Sequence, residues 1–308
     1  MQNTKKVRLG LSNPHTKLFY ILLVALPSLQ FLFFYVFVNL NSFLLAFKIF
    51  EGGNVTKFTF GWENFTNWFS GDSWAELSAA ISVSLKSYAI SFVITVPLGL
   101  FFSYYMFKRM PGAKLFRILL FMPSIISGAV LAAIFKQATA LALGGGYGLF
   151  KEWFGKSINF WDVEHRYAST MFFNIFASFG TSVLMYTNKM DSIDPEIIES
   201  AHLDGADGVK EFWYIILPQA FSIVQVFLMT GFAAIFSNQL NALMLFDYEL
   251  GKDIQTVGYM LWRGIARAGG NITQMNRFAA LGLIITIIIV PLTFLLRWTM
   301  QKVGWKEE

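Results

Sequence analysis

Six long apolar runs dominate this chain, at about residues 18–47, 77–107, 116–135, 167–186, 220–239 and 278–298. A helix needs about 20 apolar residues to cross the hydrocarbon core of a bilayer. Lipid offers no partner to backbone N–H and C=O groups, so such runs must satisfy themselves as helices. The expected fold is therefore all-α: a polytopic membrane protein with six transmembrane helices. Composition agrees, because 14% of the 308 residues are charged, against about 25% in soluble domains. The first run exceeds a signal-peptide core and has no evident small-residue cleavage site, so a cleavable leader is not expected. There is no cysteine, which excludes disulfides and thiolate metal sites.

Charge sets the expected topology. Residues 1–17 carry Lys5, Lys6, Arg8 and Lys17 with no carboxylate, and the 108–117 connector carries Lys108, Arg109, Lys114 and Arg117. Short loops rich in Lys and Arg stay on the cytoplasmic side. The N-terminal tail (1–17), this connector, the 190–219 loop and the C-terminal tail (301–308) are thus expected in the cytoplasm, around one membrane domain spanning 18–300. Segments 48–75, 136–166 and 240–276 become external loops with short surface helices. The aromatics Phe58, Phe60, Trp62, Phe65, Trp68, Phe69 and Trp74 read as an interfacial belt. The net charge of +5 is read as attraction to the inner leaflet and not as a nucleic-acid footprint.

The six runs contain no Asp, Glu or His. Proton- and sodium-coupled carriers usually bury such a group in the membrane, so an internal energy source is not expected. Lys86, well inside the second run, is expected to snorkel to the outer interface or pair with an external carboxylate. Gly155-Lys156-Ser157 imitates the end of a phosphate loop, but Phe150 stands where the first glycine belongs. His15, His165 and His202 lie far apart with no metal-like carboxylate spacing, so no metal is assigned.

The polar island between the fourth and fifth runs has its own grammar. Asp194 can cap a helix that Pro195 opens and Glu196 favours through the dipole. Gly205 can take the left-handed conformation that ends it, where a side chain would clash. Val209, Phe212, Trp213, Ile216 and Leu217 follow at helical spacing as one apolar stripe, predicting a second short helix. Pro218 marks the entry to the fifth run.

Glu199-Ser200-Ala201, Asp204-Gly205-Ala206, Phe212, Ile215, Leu217 and Pro218 resemble the EAA loop of type I ABC importer permeases. The form is similar to the carbohydrate branch, that of maltose and glycerol-phosphate permeases, with Ser200 departing from the usual alanine. Met122-Pro123-Ser124 and Ser127-Gly128 resemble the third helix of sugar permeases. The resemblance implies a non-enzymatic permease subunit of the bacterial plasma membrane that imports a carbohydrate, such as an oligosaccharide, by alternating access. It implies a second homologous permease, an ABC ATPase dimer that binds Mg-ATP, and an external solute-binding protein, with no cofactor in this chain. Glu199, Ala201, Asp204, Gly205, Ala206, Phe212, Leu217 and Pro218 would couple to the ATPase. Carried over by position, Phe176, Ser178, Phe179, Thr181, Asn238, Gln239 and Asn241 would line the substrate pathway, with Ile235 replacing a polar residue of the family. The alternatives are the same architecture carrying a non-sugar solute, and an ATP-independent carrier or membrane scaffold.

Overall fold

The computed structural model describes residues 14–50, 57–143, 148–155, 159–246 and 250–303. The basic tail up to residue 13, Gly52-Gly53, the 144–146 glycines, Lys156-Ser157 and residues 304–308 lie outside them. The main helices are α1 (Pro14–Phe47), α2 (Gly71–Phe107), α3 (Ala113–Ile125), α4 (Gly128–Ala140), α5 (Arg166–Asp191), α6 (Pro195–Leu203), α7 (Val209–Ala233), α8 (Val257–Arg267) and α9 (Ile272–Val303). The chain divides into two units, 1–67 with 268–283, and 68–267 with 284–308.

In the first unit, α1 is apolar and exposes nearly its whole length, with Ala46 its one buried residue. A π-helical stretch, Phe31–Phe37, interrupts it soon after Pro27. Proline removes one ladder donor and crowds the preceding turn, and a widened turn absorbs such a defect. The segment after α1 is not the loop expected from sequence. Lys48–Phe50 pairs antiparallel with Phe58–Phe60, in the register Lys48↔Phe60, Ile49↔Thr59 and Phe50↔Phe58. Ile49, Phe50, Phe58, Thr59 and Phe60 are β-branched or aromatic residues that suit such a ribbon. The Asn64 amide donates to the carbonyls of Ala46 and Lys48, each at 2.9 Å, and Asn276 donates to Lys48 at 2.7 Å. These bonds satisfy the end of α1. The aromatic run is also only partly a belt: Phe65 and, in the second unit, Trp68 are buried, while Phe60, Trp62 and Phe69 are exposed.

In the second unit, α5 is the central helix, packing along α2 on one side and α3 on another. Glycine makes the close approach possible. A Cβ on Gly180 would lie 1.8 Å from the Leu120 carbonyl oxygen, and one on Gly99 would lie 2.9 Å from the Tyr186 ring. Small residues let membrane helices meet in this way. Ser103 Oγ then donates to the Val183 carbonyl at 2.9 Å across the α2–α5 contact. Leu100, Tyr186, Met190, Ile216, Ala220 and Val224 form the core beneath.

Two of the six expected spans differ in detail. The third is a pair of helices, α3 and α4, bent by 106° between Ile125 and Gly128. Pro123 stands in the last turn of α3, Ile126 is extended and Ser127 is non-helical. Each leg has 13 residues, or about 20 Å, short of the roughly 30 Å core. The other five runs are continuous helices long and apolar enough to cross a membrane. The fifth is longer than expected at its start and ends earlier. Residues 209–217 are not a separate helix but the first turns of α7, which stops at Ala233. Pro218 is accommodated because the chain is π-helical over Phe212–Ile216, just before it.

Candidate functional site

The polar island forms α6, a turn, and the root of α7. Asp194 accepts from the Glu196 N–H at 3.0 Å and Pro195 is the first helical residue. Gly205 takes φ +77°, and the Ala206 N–H reaches back to the Ala201 carbonyl at 2.9 Å. Nothing lies within 4 Å of a Cβ built on Gly205. The left-handed backbone expected of Gly205 is present, and the cost of a side chain there comes from that backbone angle and not from any neighbour.

The island's side chains divide into two sets. Ala201 is buried, Leu217 joins the core, and the Phe212 ring lies 5.1 Å from that of Tyr104. Glu199 and Asp204 are exposed, Ala206 and Pro218 half-buried. The Glu199 side chain has no ion pair or hydrogen bond among the described residues. The expected stripe is split, since Ile216 is buried whereas Val209 is 73% and Trp213 57% exposed. The π-helical turn bonds i to i+5 and so shifts the register of everything after it. Leu203, at the end of α6, is 90% exposed.

Sequence reasoning missed what ties the island to α2. Glu211 is fully buried, and its carboxylate accepts from Lys108 Nζ at 2.8 and 3.1 Å. His202 Nε2 lies 3.0 Å from the same carboxylate and 3.5 Å from Asp207. Tyr104 Oη donates to the Gly208 carbonyl at 3.0 Å. An unpaired charge there would be costly, and Lys108 supplies the compensating one. His202 thus does meet carboxylates, contrary to its spacing in sequence. Lys108 already occupies the Glu211 oxygens that a metal ion would need. The available signal was Glu211 at the edge of the apolar stripe and four cations in the connector, with nothing in sequence to pair Lys108 with it.

A second site is a cavity of about 330 Å³ between α2, α5 and the 230–256 region. Ser84, Ser87, Tyr88, Ser91 and Thr95 line it from α2, opposite Ser178 and Ser182 of α5. Their spacing of three and four residues places the α2 hydroxyls along one helix face. That spacing is legible in sequence, but the resemblance to sugar permeases pointed to α5 and α7 instead. Among the described residues, no Asp, Glu, Lys, Arg or His lines the cavity. Lys86 lies on an exposed part of α2.

The expected pathway residues do not converge on one place. Ser178 and Asn238 line this cavity, and both also line an adjoining one of about 430 Å³ together with Asn241. Phe176 and Phe179 instead line an apolar cleft of about 510 Å³ with Ile94, Leu98 and Phe102. Thr181 and Gln239 line none of these cavities. Ile235 is buried against the first cavity. Asn241 is engaged structurally, donating to Asn174 Oδ1 at 2.8 Å, while Asn174 donates to the Leu240 carbonyl at 2.7 Å. Leu240 and Asn241 both sit at φ +51°, a conformation costing roughly 1–2 kcal/mol per L-residue. The Asn174 bonds, the Leu240 N–H to Asn238 Oδ1 (2.8 Å) and Thr256 Oγ1 to the Asn238 carbonyl (2.8 Å) hold this turn. The strain sits beside the cavity, where strained backbone is commonly found.

No protein-family model matches the chain. It is 25% identical over 248 residues to the multiple sugar-binding transport system permease protein MsmF of Streptococcus mutans, covering 75% of this chain and 83% of that one. It is 26% identical over 305 residues to the probable ABC transporter permease protein YurN of Bacillus subtilis, covering 94% and 97%. Among solved structures, it superposes on a chain of a bacterial alginate ABC transporter in complex with an alginate pentasaccharide-bound periplasmic protein. The TM-score is 0.77 at 17% identity, covering 96% of this chain and 98% of that one. With an almost wholly helical, multi-pass architecture and the island at 194–218 between its fourth and fifth apolar runs, the chain has the fold of an ABC importer permease and is similar to the permease subunits of sugar ABC transporters.

Proposed function

We propose that this permease forms the membrane gate of an ATP-driven importer for an oligosaccharide, moved by an ATPase that grips the α6 island. The relatives' sugar substrates support the carbohydrate, and the hydroxyl-lined, uncharged cavity favours a neutral glycan over an acidic one. Ser, Tyr, Thr and Asn groups can exchange hydrogen bonds with sugar hydroxyls, and the rings of Tyr88, Phe92 and Phe227 can cover C–H faces. A few placed polar groups in an apolar wall are the usual form of such a site. The lack of ionisable lining also disfavours an ion-coupled carrier.

The observation that carries the coupling is the pairing of Lys108 with the buried Glu211 carboxylate. Leu203, Ile197 and Glu199 are exposed on α6, a surface suited to insertion into a partner groove. A force applied there passes through the Gly205 turn to Glu211, and from Glu211 to the end of α2, whose hydroxyl stripe lines the cavity. The island and α2 then move as one body, which is how a domain movement would open and close the cavity. Mg-ATP is held and hydrolysed by the ATPase. A second permease completes the cavity, and an external binding protein delivers the sugar. Both termini and the 108–117 connector face the cytoplasm.

The test is reconstitution in sealed vesicles with the partner permease, the ATPase and the binding protein. Deletion of residues 195–207 should release the ATPase and stop sugar uptake. Sugar uptake by the permease with no ATPase present refutes the reading.

A further inference from the structure

We propose that the connector between α2 and α3 holds the phosphate headgroup of an anionic phospholipid. Arg109, Lys114 and Arg117 line one open cavity of about 1040 Å³, together with Met106, Ile118 and Asp191. All three cations are exposed, and none of their side chains has a hydrogen bond or ion pair among the described residues. The fourth cation of the connector, Lys108, differs in this respect, because Glu211 takes it. The cavity thus gathers three positive groups against one acid, Asp191. Gathering like charges is unfavourable unless an anion joins them.

The chemistry of that anion follows from the donors. Two guanidinium forks and an ammonium match the oxygens of a phosphodiester, which arginine can hold through paired N–H bonds. The same helix continues from the cavity into exposed apolar side chains: Leu115 is 60% and Ile118 66% exposed, with Leu119 beside them. A soluble phosphate would use the cations and leave these side chains idle. A phospholipid uses both, with its headgroup among the cations and its acyl chains along α3. Basic pockets at the membrane surface bind anionic lipids in this manner. The inference needs only the membrane placement of the chain and stands apart from the sugar and the ATPase.

The experiment uses the full-length permease in detergent micelles, with native mass spectrometry reading bound phosphatidylglycerol against phosphatidylcholine. The wild type should retain phosphatidylglycerol preferentially. The triple variant Arg109→Gln, Lys114→Gln, Arg117→Gln should weaken it by more than tenfold, since each surface cation contributes about fivefold. A control variant, Arg297→Gln with Lys302→Gln, removes charge at the end of α9 and should leave the preference intact. Circular dichroism and elution volume report whether the triple variant folds; if it does not, the single variants are read in its place, each with an effect of about fivefold. Unchanged lipid preference in the folded variants overturns the proposal. So does equal displacement of the lipid by inorganic phosphate, which makes this a free-anion site. Loss of ATPase co-purification with lipid retention unchanged assigns the surface to the ATPase and also overturns it.

Discussion

The α6 island and the hydroxyl-lined cavity are built by different rules. The island is local: a cap, a proline, a left-handed glycine and one turn fix its shape within about a dozen residues. The cavity is made of stretches of chain from Ser84 to Thr256, and no short segment contains it. An element written by local rules survives changes far from it. An element assembled from distant helices fails when any one contact between them is lost. Their meeting point is Lys108–Glu211, where the root of the island is fixed to the helix that supplies half of the cavity's hydroxyls.

The largest effect should come from the helix contact behind the cavity. Gly180→Leu places a side chain where even a Cβ would meet the Leu120 carbonyl at 1.8 Å. We expect a loss of more than about 4 kcal/mol, a size reserved for such overpacking, seen as loss of monodisperse protein in detergent. A Gly180→Leu protein of normal thermal stability would break the distinction between the two regions.

Next in size is the junction. Lys108→Met leaves Glu211 buried without its cation and should cost about 3 kcal/mol, with Glu211→Leu smaller because Lys108 can reach water. The double variant should cost less than the sum of the two. A double-mutant cycle in thermal unfolding measures the coupling, and additive effects would sink the linkage. In the reconstituted transporter, the double variant should hydrolyse ATP with less sugar moved per turnover.

Gly205→Val is a smaller and purely local test. It should cost about 1–2 kcal/mol through the backbone angle, since space is open around the position. Folding should persist while ATP hydrolysis separates from transport, and normal ATP-driven uptake would refute the role.

Smallest are single cavity hydroxyls. Ser91→Ala should remove one hydrogen bond, about 1 kcal/mol, and raise the KM for sugar about fivefold. Thr181→Ala and Gln239→Ala should change uptake by less than about twofold, since neither residue lines a described cavity. Larger effects at Thr181 than at Ser91 would move the pathway to the other side of α5.

How far the sequence could be read follows the same division. The apolar runs were visible because the bilayer demands a fixed length of apolar helix. The Asp194 cap, the Pro195 start and the Gly205 turn were visible because caps and turns act over a few residues. The bend between α3 and α4 had its signal in Pro123 and Ser127-Gly128, yet proline occurs inside uninterrupted helices of this chain too, at Pro97 and Pro291. The pairing of Lys48–Phe50 with Phe58–Phe60 was obscured by aromatics that also suit a membrane interface. The pathway residues were carried over by position and scattered, because neighbours such as Ser178 and Phe179 point to different sides of one helix.

Sequence by itself determined that this polypeptide crosses a membrane several times and presents a capped, glycine-ended helix between two crossings, since hydrophobic length and capping are local properties. Only the tertiary structure decided that Glu211 is neutralised by Lys108, that Asn241 is engaged in holding a strained turn, and that the α2 hydroxyls face Ser178. Those facts depend on which helices touch, and contact between residues a hundred positions apart is set by the fit of whole surfaces.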